Sequence, residues 1–314
     1  MLSLYPPMEP HRTGWLPVDD DHTIYWEESG NPKGIPVLGL HGGPGGGSNP
    51  KTRRYFDPNL YRIILFDQRG SGKSLPFGDI THNTTEHLVH DIDRLRHHFK
   101  IKKWLLFGSS WGSTLALVYG QRYPESCLGF ILRGIFLARD LDINWFTYKT
   151  RHFYPEAWNS FVNFLQPSER HNVLAAYFNY LMDPDPSVHR PAARSFRRYE
   201  AELLTLLPKE ESLEFVEEDK VSLGAAKLGV YYFLNKCFLQ PDQILKNMKA
   251  ISALPAYIIQ GRYDMLCPPL AAYELSESWP NSKLSILPCA GHSSKDPGIQ
   301  DALVDATHNF ALRS

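Results

Sequence analysis

The residues with the clearest capacity for chemistry are those of the pentapeptide Gly108-Ser109-Ser110-Trp111-Gly112. It follows an apolar run, Trp104-Leu-Leu-Phe107, and opens a helix-like run, Ser113-Thr-Leu-Ala-Leu-Val-Tyr119. A Gly-x-Ser-x-Gly turn from strand to helix is a nucleophile elbow, in which the serine is forced into a strained backbone conformation and the flanking glycines leave room for it. Ser110 is therefore expected to stand exposed at the strand's carboxyl end, above a helix N-terminus. A serine hydroxyl is a poor nucleophile until a base takes its proton, and that base needs a partner to fix its tautomer. His292, in Ala290-Gly-His292, and Asp264, in Gly261-Arg-Tyr-Asp264, each follow an apolar run and suit those two roles. A tetrahedral intermediate also needs donors aimed at its oxyanion. The cluster His41-Gly-Gly-Pro-Gly-Gly-Gly47 leaves backbone N–H groups approachable, so the two donors are assigned to the backbone of Gly43 and of Trp111. His41 itself reads as a shaping residue for that turn.

These side chains need elements that bring them together. Short apolar runs predict strands at 36–40, 61–66, 104–107, 128–132, 256–260 and 283–287, with another at 22–27. Leu88, Ile92, Leu95 and Phe99 recur at helical spacing, while Glu86, Asp91, Asp93, Arg94 and Arg96 fill the other faces. Further helices are predicted at 269–279 and 299–312. Strands alternating with helices imply a parallel sheet covered on both faces. Ser110, Asp264 and His292 then all fall at its carboxyl edge, where open α/β sheets gather ligands. The alternation stops near Gly134. From Ile135 to about Lys246 the chain is aromatic, charged and helix-like, punctuated by Pro155, Pro167, Pro184, Pro186, Pro191 and Pro208. The expectation is a catalytic domain made of residues 1–134 and 247–314, interrupted by a helical cap at 135–246.

Whole-chain properties narrow the function. The 314 residues are 43% hydrophobic and 21% charged, with a formal net charge of −1. There is no basic field for nucleic acid and no polybasic segment for an anionic membrane. No run is long and apolar enough to cross a bilayer, and residues 1–10 lack the pattern of a secretory leader. Cys127, Cys237, Cys267 and Cys289 are far apart and in no metal-ligand spacing, so they read as reduced thiols of a cytoplasmic protein. Two motif-like stretches are set aside. Asp67-Gln-Arg-Gly-Ser-Gly-Lys-Ser74 ends like a phosphate loop, but a carboxylate stands where glycine is required and Pro76 interrupts the helix that should follow. His87 and His90 lie one turn apart without an evident third ligand. No metal and no cofactor are expected.

The order serine, aspartate, histidine along the chain is that of the α/β-hydrolases. The fold class expected is therefore the α/β-hydrolase fold, with a mostly parallel central sheet, helices on both faces and an inserted helical cap. Within that fold the chain resembles the proline iminopeptidases, or prolyl aminopeptidases, over nearly its whole length. The resemblance rests on His41–Gly47, Asp67-Gln-Arg-Gly-Ser-Gly72, Gly108-Ser-Ser-Trp-Gly-Ser-Thr-Leu-Ala116, Leu132-Arg-Gly-Ile-Phe136, Thr205-Leu-Leu-Pro208, Gly261-Arg-Tyr-Asp-Met265 and Ala290-Gly-His292. It implies a cytoplasmic, metal-free exopeptidase that removes N-terminal proline from small peptides through a prolyl-enzyme, with its oligomeric state left open. It also implies a cap glutamate that captures the substrate's α-amine. The family's Trp-Glu-Gly-Glu stretch corresponds to Tyr199-Glu-Ala-Glu202, making Glu200 the first candidate and Glu202 the second. Phe136, Phe146 and Phe233 match the aromatic positions around the proline ring. Cys267, close to Asp264, lines the site or packs as a small hydrophobe. One departure stands out, because Gly229 occupies the place of a second cap glutamate in similar family members. It motivates an alternative, an esterase or amidase of different acyl specificity. A third reading, a non-catalytic binding protein, is opposed by the intact Ser, Asp and His set.

Overall fold

Eight strands make one sheet in the computed structural model, which describes residues 4–207 and 219–313. They are β1 (Arg12–Pro17), β2 (Thr23–Gly30), β3 (Ile35–Leu40), β4 (Tyr61–Phe66), β5 (Trp104–Ser110), β6 (Cys127–Ile135), β7 (Ala256–Gly261) and β8 (Ser282–Leu287). Their spatial order is β1-β2-β4-β3-β5-β6-β7-β8. β2 runs antiparallel to β1 and β4, and every pairing from β4 through β8 is parallel. β5 lies inside this sheet, so the residue at its carboxyl end is held by neighbours on both sides. Every apolar run predicted as a strand is one. β1 carries no sequence signal, because it is an edge strand whose residues alternate between exposed and half-buried and end in Pro17.

The α-helices are α1 (Thr85–His98), α2 (Trp111–Arg122), α3 (Asp140–Asn144), α4 (Pro155–Asn163), α5 (Val173–Met182), α6 (Pro186–Glu202), α7 (Asp219–Leu234), α8 (Gln243–Lys246), α9 (Pro269–Glu277) and α10 (Ile299–Ala311). Leu105 and Phe107 of β5 join a core with Ile299, Leu303 and Phe310 of α10. Trp104 and Leu106 join the opposite core with α1, α2 and α9. Burial on both faces explains why the central strands read as continuous apolar runs. The Leu88, Ile92 and Leu95 stripe of α1 is buried as its spacing demands.

β6 and β7 are neighbours in the sheet, yet α3 through α8 intervene in the chain. Aromatic rings bind this helical segment internally. Phe161 of α4 stacks on Tyr177 of α5 at 4.6 Å and on Tyr199 of α6 at 4.3 Å between ring centres. Two of the prolines punctuate as expected, Pro155 and Pro186 opening α4 and α6, whereas Pro191 lies inside α6 without ending it. Pro208 falls outside the described residues. Among the described residues no helix is long and apolar enough to cross a membrane.

Candidate active site

Ser110 sits where β5 ends and α2 begins, with φ 56° and ψ −126°. A non-glycine residue at positive φ is costly and persists only where its surroundings enforce it. Here the enforcement is steric. A Cβ on Gly108 would run into the carbonyl of Gly112, and one on Gly112 would run into the carbonyl of Leu40. Only glycine lets β5, α2 and the end of β3 approach this closely. Ser113 Oγ donates to the Ser110 carbonyl at 2.7 Å and accepts from Phe136 N–H at 3.2 Å, tying the elbow to the end of β6. The Ser110 hydroxyl remains half-buried, with Cys267 Sγ 4.0 Å away.

Asp264 and His292 are both buried and meet through His292 Nδ1 and Asp264 Oδ2 at 2.7 Å. Asp264 is held from every side. Oδ1 accepts Leu266 N–H at 3.0 Å and Cys267 N–H at 2.7 Å, and Oδ2 also accepts from Gln260 Nε2 at 3.2 Å. With Nδ1 committed to the carboxylate, Nε2 is the nitrogen left for proton exchange. The histidine loop is itself pinned: Arg133 donates to the His292 carbonyl, and Asp296 accepts Gly291 N–H at 2.8 Å and Leu206 N–H at 3.2 Å. Ser110 Oγ and His292 are not hydrogen-bonded to each other in this geometry, although Cys267 adjoins both. Such bonds are commonly long until the reacting complex forms. Asp264, Cys267 and His292 place a carboxylate, a thiol and an imidazole within 4.8 Å of one another, a donor set that could in principle take a metal ion. The Asp264 oxygens already accept four hydrogen bonds, and burial with the adjacent carboxylate pushes the Cys267 thiol well up, so the carboxylate is satisfied and the thiol is held protonated.

The glycine cluster lies beside Ser110. A Cβ on Gly42 would come within 3.3 Å of Ser110 Cβ. His41 shapes this loop: Nδ1 donates to the Gly42 carbonyl at 2.9 Å and Nε2 accepts Gln68 N–H at 3.0 Å. Burial lowers its pKa, in keeping with a neutral ring that donates at one nitrogen and accepts at the other. Gln68 continues the network, donating to the His41 carbonyl at 3.0 Å and accepting Trp111 Nε1–H at 2.9 Å. The stretch that mimics a phosphate loop fills its own anion site. Asp67 accepts Ser48 N–H at 2.6 Å and Lys73 N–H at 2.8 Å, so a side chain of the protein occupies the place a phosphate would need. The backbone N–H of Trp111 is the first of α2, one of the groups without an intrahelical acceptor.

The predicted aromatic residues come together. Phe233 of α7 packs against Phe136 at 5.7 Å and against Phe146 at 5.6 Å, and Phe146 lies 5.8 Å from Phe196 of α6. Glu200 lies one turn beyond Phe196 and is paired with Arg197, while Glu202 pairs with Arg198 at 2.9 Å. A Cβ on Gly229 would meet nothing nearer than Phe196 at 3.6 Å and the Pro44 carbonyl at 3.9 Å, so the position admits a Cβ without a clash. Residues that the sequence reading missed are Gln68, Ser113, Arg133, Gln260 and Asp296. Their common signal is a polar residue at or just beyond the end of a buried strand or at a helix start, which is weak without the fold in hand.

Fold and site together define an α/β-hydrolase, and the family profile for that fold matches residues 35–298. Solved structures agree on the fold. An esterase from Exiguobacterium antarcticum superposes with a TM-score of 0.65 at 19% identity, covering 95% of this chain and 98% of its own. A proline iminopeptidase from Mycobacterium smegmatis gives 0.66 at 17% identity, covering 96% and 99%. Sequence relatives are much nearer. A proline iminopeptidase of Arabidopsis thaliana is 47% identical over 98% of this chain and 82% of its own length. One from Neisseria gonorrhoeae is 42% identical over 99% of each. The chain belongs to the proline iminopeptidase family.

Proposed function

We propose that this chain is a serine aminopeptidase that hydrolyses the peptide bond after an N-terminal proline of small peptides. Ser110 Oγ attacks the prolyl carbonyl while His292 Nε2 takes its proton, and Asp264 holds the tautomer and stabilises the imidazolium. The N–H groups of Gly43 and Trp111 receive the oxyanion. His292 then protonates the departing amine, leaving a prolyl-enzyme, and next activates the water that releases proline. The helical segment 135–246 acts as a cap that closes the space beyond the amine, so one residue is removed at a time. Phe136, Phe146 and Phe233 enclose the proline ring, and Glu200, with Glu202 as the alternative, receives the ammonium by a charge-assisted hydrogen bond. The observation that carries this reading is the 2.7 Å Asp264–His292 bond beside a serine held at positive φ. Proline-β-naphthylamide and its N-blocked form test it: turnover of the free-amine form alone is expected, and equal turnover of both would remove amine recognition. A fluorophosphonate probe should label Ser110 and fail to label it in His292→Ala.

A second reading, an esterase or amidase of different acyl specificity, draws support from Gly229 and from the pairing of Glu200 with Arg197. A panel that includes simple aryl esters separates the two, since an esterase would turn over the uncharged esters faster than any free-amine aminoacyl substrate.

A further inference from the structure

One face of α7 touches both elements assigned to the oxyanion. Ala225, Leu228, Gly229 and Tyr232 recur at i, i+3, i+4 and i+7, so they share one stripe of the helix. The stripe meets the glycine loop at Gly45, whose φ is 94°: a Cβ there would come within 3.0 Å of Leu228 Cβ and 3.1 Å of Ala225 Cα. Gly229 faces the Pro44 carbonyl. Further along, the ring of Tyr232 packs edge-on against the indole of Trp111 at 5.0 Å, and its hydroxyl donates to Asn83 Oδ1 at 2.8 Å. Leu228 Cδ1 also lies 3.1 Å from where a Gly70 side chain would begin, on the turn that holds Gln68. Gln68 in turn bridges the His41 carbonyl and Trp111 Nε1. His41 and Asp67 hold the two ends of the glycine loop, but residues 42–47 between them carry few side chains of their own, and there the loop packs on α7.

We propose that α7 of the inserted helical segment is the clamp that positions the oxyanion donors, with Leu228 and Tyr232 as positioning residues for Gly43 and Trp111 respectively. The inference rests on the assignment of those two N–H groups as donors. Its consequence is that the insertion contributes to the rate of the chemical step as well as to the choice of substrate. A preorganised donor is effective only where the oxyanion will form, and a displaced one loses most of its value.

The test is Leu228→Ala, with Leu228→Met as the conservative partner, assayed on proline-β-naphthylamide and a prolyl ester. Deleting a donor outright lowers kcat by about 10²–10³. A displaced donor is expected to lower it by about tenfold on both substrates, with KM within about twofold, and Leu228→Met should restore it. Pyrrolidine-2-boronic acid, which forms a tetrahedral adduct on Ser110, should bind about tenfold more weakly to Leu228→Ala, while binding of prolinol should hardly change. Should Leu228→Ala not fold, Tyr232→Leu keeps an apolar side chain beside Trp111 and is expected to show the same split. A raised KM with unchanged kcat, or equal weakening of both inhibitors, would overturn the proposal, because α7 would then only shape the pocket. Failure of the underlying serine-nucleophile reading looks different: the unmodified enzyme itself would bind the boronic acid no more tightly than prolinol.

Discussion

The hydrolase body and the helical insertion hold their functional groups by different physical means. In the body, direction comes from the backbone and from buried polar bonds. Asp264 accepts four hydrogen bonds, two of them from backbone N–H groups, and Ser110 is fixed by contacts that forbid any side chain at Gly108 or Gly112. In the insertion the grip is side chain on side chain: Phe233 on Phe136 and Phe146, and Arg197 on Glu200. Backbone-held groups tolerate little change, since every replacement leaves a buried donor or acceptor unmatched. Ring packing and ion pairs accept replacement by side chains of similar size at modest cost, which suits a region that selects among substrates.

The sharpest way to break this contrast is through kcat and KM. Ser110→Ala should reduce kcat for proline-β-naphthylamide by about a millionfold without raising KM appreciably. Asp264→Asn should cost about 10⁴ in kcat through the wrong tautomer, and it should also lower Tm, because the amide nitrogen cannot accept the N–H groups that Asp264 receives. Leu228 and Tyr232 of the α7 stripe aside, changes at the insertion's candidate amine-binding positions should act on KM. Glu200→Gln is expected to raise it about tenfold, the worth of one charge-assisted hydrogen bond, with kcat nearly unchanged. Gly229→Glu, whose Cβ would meet only ordinary contacts, should lower KM several-fold for free-amine substrates, leaving aryl esters unaffected. A large kcat effect from either would show that the two regions are less separable than their construction implies.

Thiols sharpen the comparison without touching kcat. Cys289 is exposed, whereas Cys267 is buried and its thiol is pushed well up, chiefly by burial and then by Asp264. Iodoacetamide at neutral pH should label Cys289 first with activity retained, and a Cys289→Ser protein should resist native-state labelling; mass spectrometry of the labelled peptides reads this out. The smallest effect concerns His41. Its pKa is lowered by burial, which outweighs the nearby Asp67 carboxylate, so the unfolded chain takes up a proton near the ordinary value of 6.5 while the folded chain resists. The associated stability is present above about pH 6.5 and is lost as pH falls through the lower folded value. Urea unfolding of His41→Gln should be flatter than that of the unmodified protein between pH 7 and pH 5.

The sequence was legible where one residue type admits one geometry. Gly108, Ser110 and Gly112 announce a strained turn, and the glycines of 42–47 announce a loop that approaches a reacting centre. The buried strands announced themselves by apolar runs. β1 did not, because an edge strand needs no apolar face. Gln260 and Arg133 were unreadable for another reason: a polar residue in or after a buried strand gains meaning only when its neighbour across the sheet is known. The partner of Glu200 was within reach of helical spacing, since Arg197 stands three residues before it, but spacing alone does not fix the rotamers that pair them. The stripe 225, 228, 229 and 232 carries small and aromatic residues together, so periodicity alone says helix and not what that helix clamps.

One further consequence follows from where the helical segment enters the chain. Ser110 is synthesised before it, and Asp264 and His292 after it, on loops that follow β7 and β8. A ribosome therefore completes the proposed nucleophile long before its proposed base, and on that reading the hydroxyl has no partner to activate it through most of translation.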